Sequence, residues 1–179
     1  ADSTGQTYRT SNLYVMRPDG SGARELAADF DRSPGGLIWA PDGSGVYFTA
    51  ENEGTEDLYY AGVNGDFRRV TEGRHVLGTT DTDDDGAAVG VMETPKRPGD
   101  VVSFTLSEPE PAYLTAVNED VLSGIRLGDV EEIWYESVGG MRVQGWIVKP
   151  PDFDPSRDYP LILHIHGGPH AMYDVGFSF

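Results

Sequence analysis

The chain contains no cysteine. Disulfides and thiolate metal sites are thereby excluded, and nothing in the sequence speaks to redox compartment. Lysine is nearly absent, with Lys96 and Lys149 alone in 179 residues. Thirteen Lys and Arg stand against 30 Asp and Glu, a net charge of −17. Such a balance repels phosphate backbones and anionic headgroups, so neither nucleic acid nor a membrane surface is expected as a partner. No apolar run approaches the roughly 18–20 residues of a membrane-spanning helix. The first residues, Ala1-Asp2-Ser3-Thr4-Gly5, lack an initiator Met and the apolar stretch of a signal peptide. They imply a chain that starts partway through a longer protein, with a cytoplasmic location expected.

Aspartate is abundant, and Asp81-Thr82-Asp83-Asp84-Asp85 is its densest run. Dense surface carboxylates stay solvated at high salt, where their mutual repulsion is screened. Adaptation to high salt is the favoured reading, with an ordinary acidic surface as the alternative. A calcium loop at Asp83, Asp84 and Asp85 is not favoured, because the full EF-hand pattern with its closing Glu is missing. A solvated turn is the expectation there.

Short β-rich stretches separated by turn residues fill the first two thirds of the chain. Residues 12–16, 23–27, 37–40, 46–49, 57–60 and 67–71 read as strands. Pro18-Asp19-Gly20-Ser21-Gly22 and Pro41-Asp42-Gly43-Ser44-Gly45 are turns of one chemistry, and Asn64-Gly65 is a hairpin turn. The pattern repeats. Asn12-Leu13-Tyr14 and Asp57-Leu58-Tyr59 lie 45 residues apart, while Asp42-Gly43 and Asp57-Leu58 recur 43 residues on as Asp85-Gly86 and Asp100-Val101. Residues 87–92, 101–104 and 112–115 supply the strands of an eroded third copy. A period in the forties with about four strands per copy is the mark of a β-propeller blade. Tyr14, Trp39, Tyr47, Phe48 and Tyr59 are then expected to pack between blades, and His75 to be structural.

The pattern changes between Leu114 and Val130. Asn118 is placed to cap a helical turn through Leu122, and a domain boundary is set here. Residues 132–136 and 141–148 read as a hairpin about Gly139-Gly140. After the polar loop 152–159, Pro160 opens the run Leu161-Ile162-Leu163-His164-Ile165. A short apolar run without alternation predicts a strand covered on both faces, as in a parallel sheet. It runs into His166-Gly167-Gly168-Pro169-His170. Glycines let backbone approach a ligand closely. Pro169 has no N–H, so any backbone donor aimed at a ligand comes from Gly167, Gly168 or His170.

The succession Trp134-Tyr135, Gly139-Gly140, Gly145-Trp146, Lys149-Pro150-Pro151, Asp158-Tyr159-Pro160-Leu161 and His166-Gly167-Gly168-Pro169-His170 resembles the start of the catalytic domain in prolyl-oligopeptidase-type serine peptidases. It is nearest to their acylaminoacyl-peptidase and dipeptidyl-peptidase branch. The Trp39 and Asp42-Gly43 pattern is similar to the blade repeat of TolB-like and peptidase propellers. The resemblance implies a mainly β chain: part of a β-propeller, about two to three four-stranded blades over 1–117, then the first strands of an α/β-hydrolase domain over 118–179. It also implies that the Gly168 N–H forms half of an oxyanion hole, with Gly167, His166 and His170 shaping the turn. Peptide is the implied substrate. The remainder of the parent polypeptide is the implied partner, with a homo-oligomer also open. No cofactor or metal is expected.

The nucleophile, in a G-x-S-x-G elbow, and its Asp and His are not found in the chain. Gly176-Phe177-Ser178 begins like an elbow, but Ser178 lies ten residues past Gly168, with no room for the strand that presents one. Ser21 and Ser44 are explained by their turns. A zinc site at His164, His166 and His170 is the rival for this stretch; a buried, hydrogen-bonded core histidine at 164 is favoured over it. A TolB-like binding module without catalysis is the alternative function. Unpaired blade edges and uncovered apolar faces predict that the isolated chain self-associates.

Overall fold

The computed structural model describes residues 10–168 and 171–178, and the backbone alone at 79 and 80. The described residues form two compact units, 10–116 with 175–178, and 117–174.

The first unit is built of antiparallel meanders. Strands β3 (Gly35–Trp39), β4 (Gly45–Asn52), β5 (Thr55–Gly62) and β6 (Phe67–Arg69) pair in order. Strands β7 (Val76–Thr82), β8 (Ala87–Thr94), β9 (Arg97–Thr105) and β10 (Ala112–Tyr113) repeat the order. Ahead of them, among the described residues, β1 (Leu13–Val15) pairs only with β2 (Arg24–Leu26). One parallel bridge, Glu56 with Val76, joins the two meanders. These are two four-stranded propeller blades preceded by a two-stranded piece.

Strand alternation decides which neighbour each side chain meets. On β4 and β5, Val46, Phe48, Ala50, Tyr59 and Ala61 point to a core shared with Leu13 and Leu26 of the two-stranded piece. Tyr47, Leu58 and Tyr60, on the opposite face, enter a core with Leu77, Ala88, Met92, Val102 and Phe104 of the next blade. A blade covered on both sides is therefore apolar on both sides, which is why Val46-Tyr47-Phe48 reads without alternation. Phe30 supports one core, its ring 4.9 Å from Tyr59 and 5.7 Å from Phe48. On β8 only one face is covered, so burial alternates along it.

Of the five aromatics expected between blades, Tyr47, Phe48 and Tyr59 are buried. Tyr14 and Trp39 are not, at 58% and 55% exposure. Tyr14 points away from buried Leu13 on β1, to a face that none of the described residues covers, and its hydroxyl donates to Glu25. Trp39 sits on edge strand β3, where its neighbour Ile38 takes the inward direction instead.

The repeat is visible in the backbone. Gly43 donates to the Ala40 carbonyl at 2.8 Å, and Gly86 to Asp83 at 3.1 Å, both glycines at positive φ (69° and 83°). The Asp83 carboxylate accepts from the N–H groups of Asp85 and Ala87, so its oxygen serves the turn.

Side chains add a second repeat. In one blade the buried N–H of Leu58 donates to Thr71 Oγ1 at 2.9 Å, while Arg69 bridges the Asp57 carboxylate (2.7 Å) and the Thr71 carbonyl (3.1 Å). In the next, Val101 N–H donates to Thr115 Oγ1 at 2.9 Å, and Arg97 bridges Asp100 and the Thr115 carbonyl, each at 2.8 Å. The arginines come from different sequence positions but close the same loop. His75, expected to be structural, is buried, with Nε2 3.3 Å from Asp57 Oδ1.

In the second unit, α1 spans Glu119–Leu122 after Asn118, whose side chain makes no capping bond. Strands β11 (Val130–Glu136) and β12 (Arg142–Val148) form the expected hairpin, with Gly139 and Gly140 at φ 77° and 78° in its turn. The expected strand at Leu161–Ile165 is not formed. The run is unpaired, and Leu161, Ile162, Leu163 and Ile165 are 73–90% exposed. A strand needs a neighbour to take its backbone hydrogen bonds and layers to cover its faces. None of the described residues provides either. Residues 175–178 fall with the first unit: Val175 is buried and donates to the Gly54 carbonyl at 2.8 Å, and Phe177 N–H donates to Glu93.

Candidate functional site

The residues singled out in the sequence lie at the end of the 161–165 run. The chain bends at Gly168. A Cβ added at Gly167 would meet nothing within 4 Å among the described residues. His166 Nδ1 lies 2.7 Å from the Gly167 carbonyl oxygen. A carbonyl can only accept, so this bond requires the imidazole proton on Nδ1. His166, Gly167 and Gly168 thus form one local unit. Pro169 and His170 lie outside the described residues.

His164 is exposed rather than buried, because the run carrying it is uncovered. It does have a partner: the Tyr173 hydroxyl is 3.0 Å from Nε2 and 3.1 Å from Nδ1. The Tyr173 ring also packs against both imidazoles, 5.2 Å from His164 and edge-on at 5.8 Å from His166. Its carbonyl accepts from the Trp146 indole N–H at 2.9 Å. Trp146 is carried on β12, opposite Glu132 of β11. Among the described residues no three His, Asp or Glu side chains converge as a metal set. Sequence reasoning assigns Tyr173 no role, since nothing in its local pattern reveals what it touches.

The serines of the turns are engaged there. The N–H groups of Ser21 and Ser44 donate to Asp19 and Asp42, and Ser44 Oγ pairs with the Tyr60 hydroxyl at 2.8 Å. Hydrogen bonds from Ser21 and Ser44, side chain first and then backbone, hold both carboxyls below the usual range. Ser178 is exposed. A glycine turn whose peptide planes are fixed by a histidine can present backbone N–H groups to an anionic oxygen.

No family model matches the chain. Among curated proteins, it is 31% identical over 168 residues to a Bacillus subtilis protein described as the uncharacterized peptidase YuxL. That match covers 93% of this chain and 25% of the relative. It is 28% identical to dipeptidyl-peptidase 5 of Porphyromonas gingivalis, covering 84% of this chain and 22% of that protein. Among solved structures, Pyrococcus horikoshii acylaminoacyl peptidase matches with a TM-score of 0.76 and 25% identity, covering 96% of this chain and 26% of that one. The chain spans about a quarter of the length of the curated relatives it matches. In sequence and in fold the chain is thus similar to peptidases of the prolyl-oligopeptidase type, among them dipeptidyl-peptidase 5 and acylaminoacyl peptidase.

Proposed function

We propose that the chain is part of a serine-type peptidase that cleaves short peptides in the manner of an acylaminoacyl- or dipeptidyl-peptidase. Residues 1–117 contribute the last blades of a propeller that limits substrate size. Residues 118–179 open the α/β-hydrolase domain. The observation that carries this reading is the His166-Gly167-Gly168 turn that follows propeller blades and a hairpin along the sequence, in a chain 31% identical over 93% of its length to a protein described as a peptidase.

In this reading, a serine supplied by the rest of the parent polypeptide attacks the scissile carbonyl carbon, and its proton passes to a histidine oriented by an aspartate. The carbonyl oxygen becomes an oxyanion, and the Gly168 N–H donates to it. The second donor is the N–H of the residue after the nucleophile. One such donor contributes about 10²–10³ in rate. Collapse expels the amine, and water then releases the acyl group. These 179 residues alone are inactive.

The test is fluorophosphonate labelling of the source protein, read by mass. A labelled species much larger than 19.5 kDa is expected. A label on the 19.5 kDa chain itself would mean that Ser178 or another serine here is the nucleophile. No label on any species would favour a propeller binding module.

A further inference from the structure

We infer that Tyr173 is a positioning residue for the oxyanion turn, acting through His166 on the Gly167–Gly168 peptide. The inference rests on the peptidase reading above. A trans peptide is planar, with its C=O and N–H pointing in opposite directions, and the chain has no cis peptide bond among its described residues. Fixing the Gly167 carbonyl therefore fixes the direction of the Gly168 N–H, the proposed donor. His166 holds that carbonyl through Nδ1, at 2.7 Å. Among the described residues nothing lies within 4 Å of a Cβ built at Gly167, so none of them constrains that residue, and a glycine backbone is permissive by itself.

The imidazole must itself be held. Tyr173 packs edge-on against it, and its hydroxyl engages His164 two residues earlier, so one side chain spans both histidines of the run. Tyr173 is in turn fixed by the indole N–H of Trp146 on β12. The hairpin, which carries no other part of the proposed chemistry, becomes the rigid base of a chain of contacts: Trp146, Tyr173, His166, the Gly167 carbonyl, and last the Gly168 N–H. Tyr173 acts through His166 and not on the substrate.

The test compares wild type, Y173A and Y173F in the full-length protein, by peptide hydrolysis, fluorophosphonate labelling rate and ¹⁵N spectra of the histidine side chains. Y173A is expected to lower kcat about tenfold, less than loss of a whole donor, with KM nearly unchanged and labelling slowed in parallel. Y173F keeps the ring on His166 and is expected to restore most of kcat. The His166 Nδ1–H signal, sharp in wild type and Y173F, is expected to broaden or vanish in Y173A. An unchanged His166 signal in Y173A would overturn the inference, as would equal losses of kcat in Y173A and Y173F. A wild-type protein that neither hydrolyses peptides nor labels would sink the peptidase reading instead, and the histidine spectra would still decide whether Tyr173 orders the turn.

Discussion

Thr71 and Thr115 do the same work in successive blades: each hydroxyl accepts a backbone N–H from the residue that follows an arginine-held aspartate. In the first, the N–H belongs to fully buried Leu58. Thr71→Val removes the acceptor and leaves that donor unpaired, which is expected to cost about 1–3 kcal/mol in urea unfolding. Thr71→Ser, which keeps the hydroxyl, is expected to stay close to wild type; equal losses in both variants would mean that packing, not the bond, matters. Buried tyrosines set a second expectation. Burial raises the Tyr47, Tyr59 and Tyr113 hydroxyls above the ordinary 10.0. The unfolded chain then releases these protons at lower pH than the folded chain, so their contribution is complete below pH 10 and is lost as pH rises further. Tyrosinate absorbance of the folded protein is expected to develop later than that of the unfolded chain. Coincident titration curves would refute this.

At the level of elements, the hairpin of the second unit depends on a close approach at its base. A Cβ at Gly128 would lie 1.7 Å from the Lys149 carbonyl oxygen, and Lys149 N–H donates to Asp129 beside it at 2.8 Å. Backbone cannot move aside as a flexible side chain can. Gly128→Ala is therefore expected to part the ends of β11 and β12 and to speed hydrogen exchange at their amides, while β4 and β5 exchange as before. Unchanged protection of the hairpin would contradict this. The strands themselves are largely legible: Val46-Tyr47-Phe48, the Asp-Gly turns and the hairpin about Gly139-Gly140 carry local signals that tertiary packing does not override. Leu161–Ile165 reads as a buried strand and is exposed. Its side chains state a preference for burial, but pairing and cover are supplied by neighbours, which a local pattern does not contain.

At the scale of the molecule, charge outweighs every other compositional feature. With a net −17, self-repulsion opposes the compact state. Salt screens that repulsion over about 3 Å at 1 M against about 30 Å at 0.01 M. The melting temperature is expected to climb steeply from low to molar KCl; a flat response would reject adaptation to salt in favour of an ordinary acidic surface. The Asx turns at Asp19 and Asp42 favour the folded chain at neutral pH, since their lowered carboxyls lose their favourable bonds only as pH falls through the folded values.

By itself the sequence determined the blade period, the turns, the hairpin about Gly139-Gly140 and the resemblance to peptidases. All of these follow from residue order over short distances, where turn chemistry and alternation act. Only the tertiary structure decided that Tyr47 and Phe48, neighbours on one strand, serve different cores, and that Arg69 and Arg97 close the same loop from different positions. It also decided that Tyr14 and Trp39 stay exposed and that Tyr173 reaches His166. Each of these depends on which surface comes to lie opposite a side chain, and packing brings together residues whose separation along the chain carries no signal.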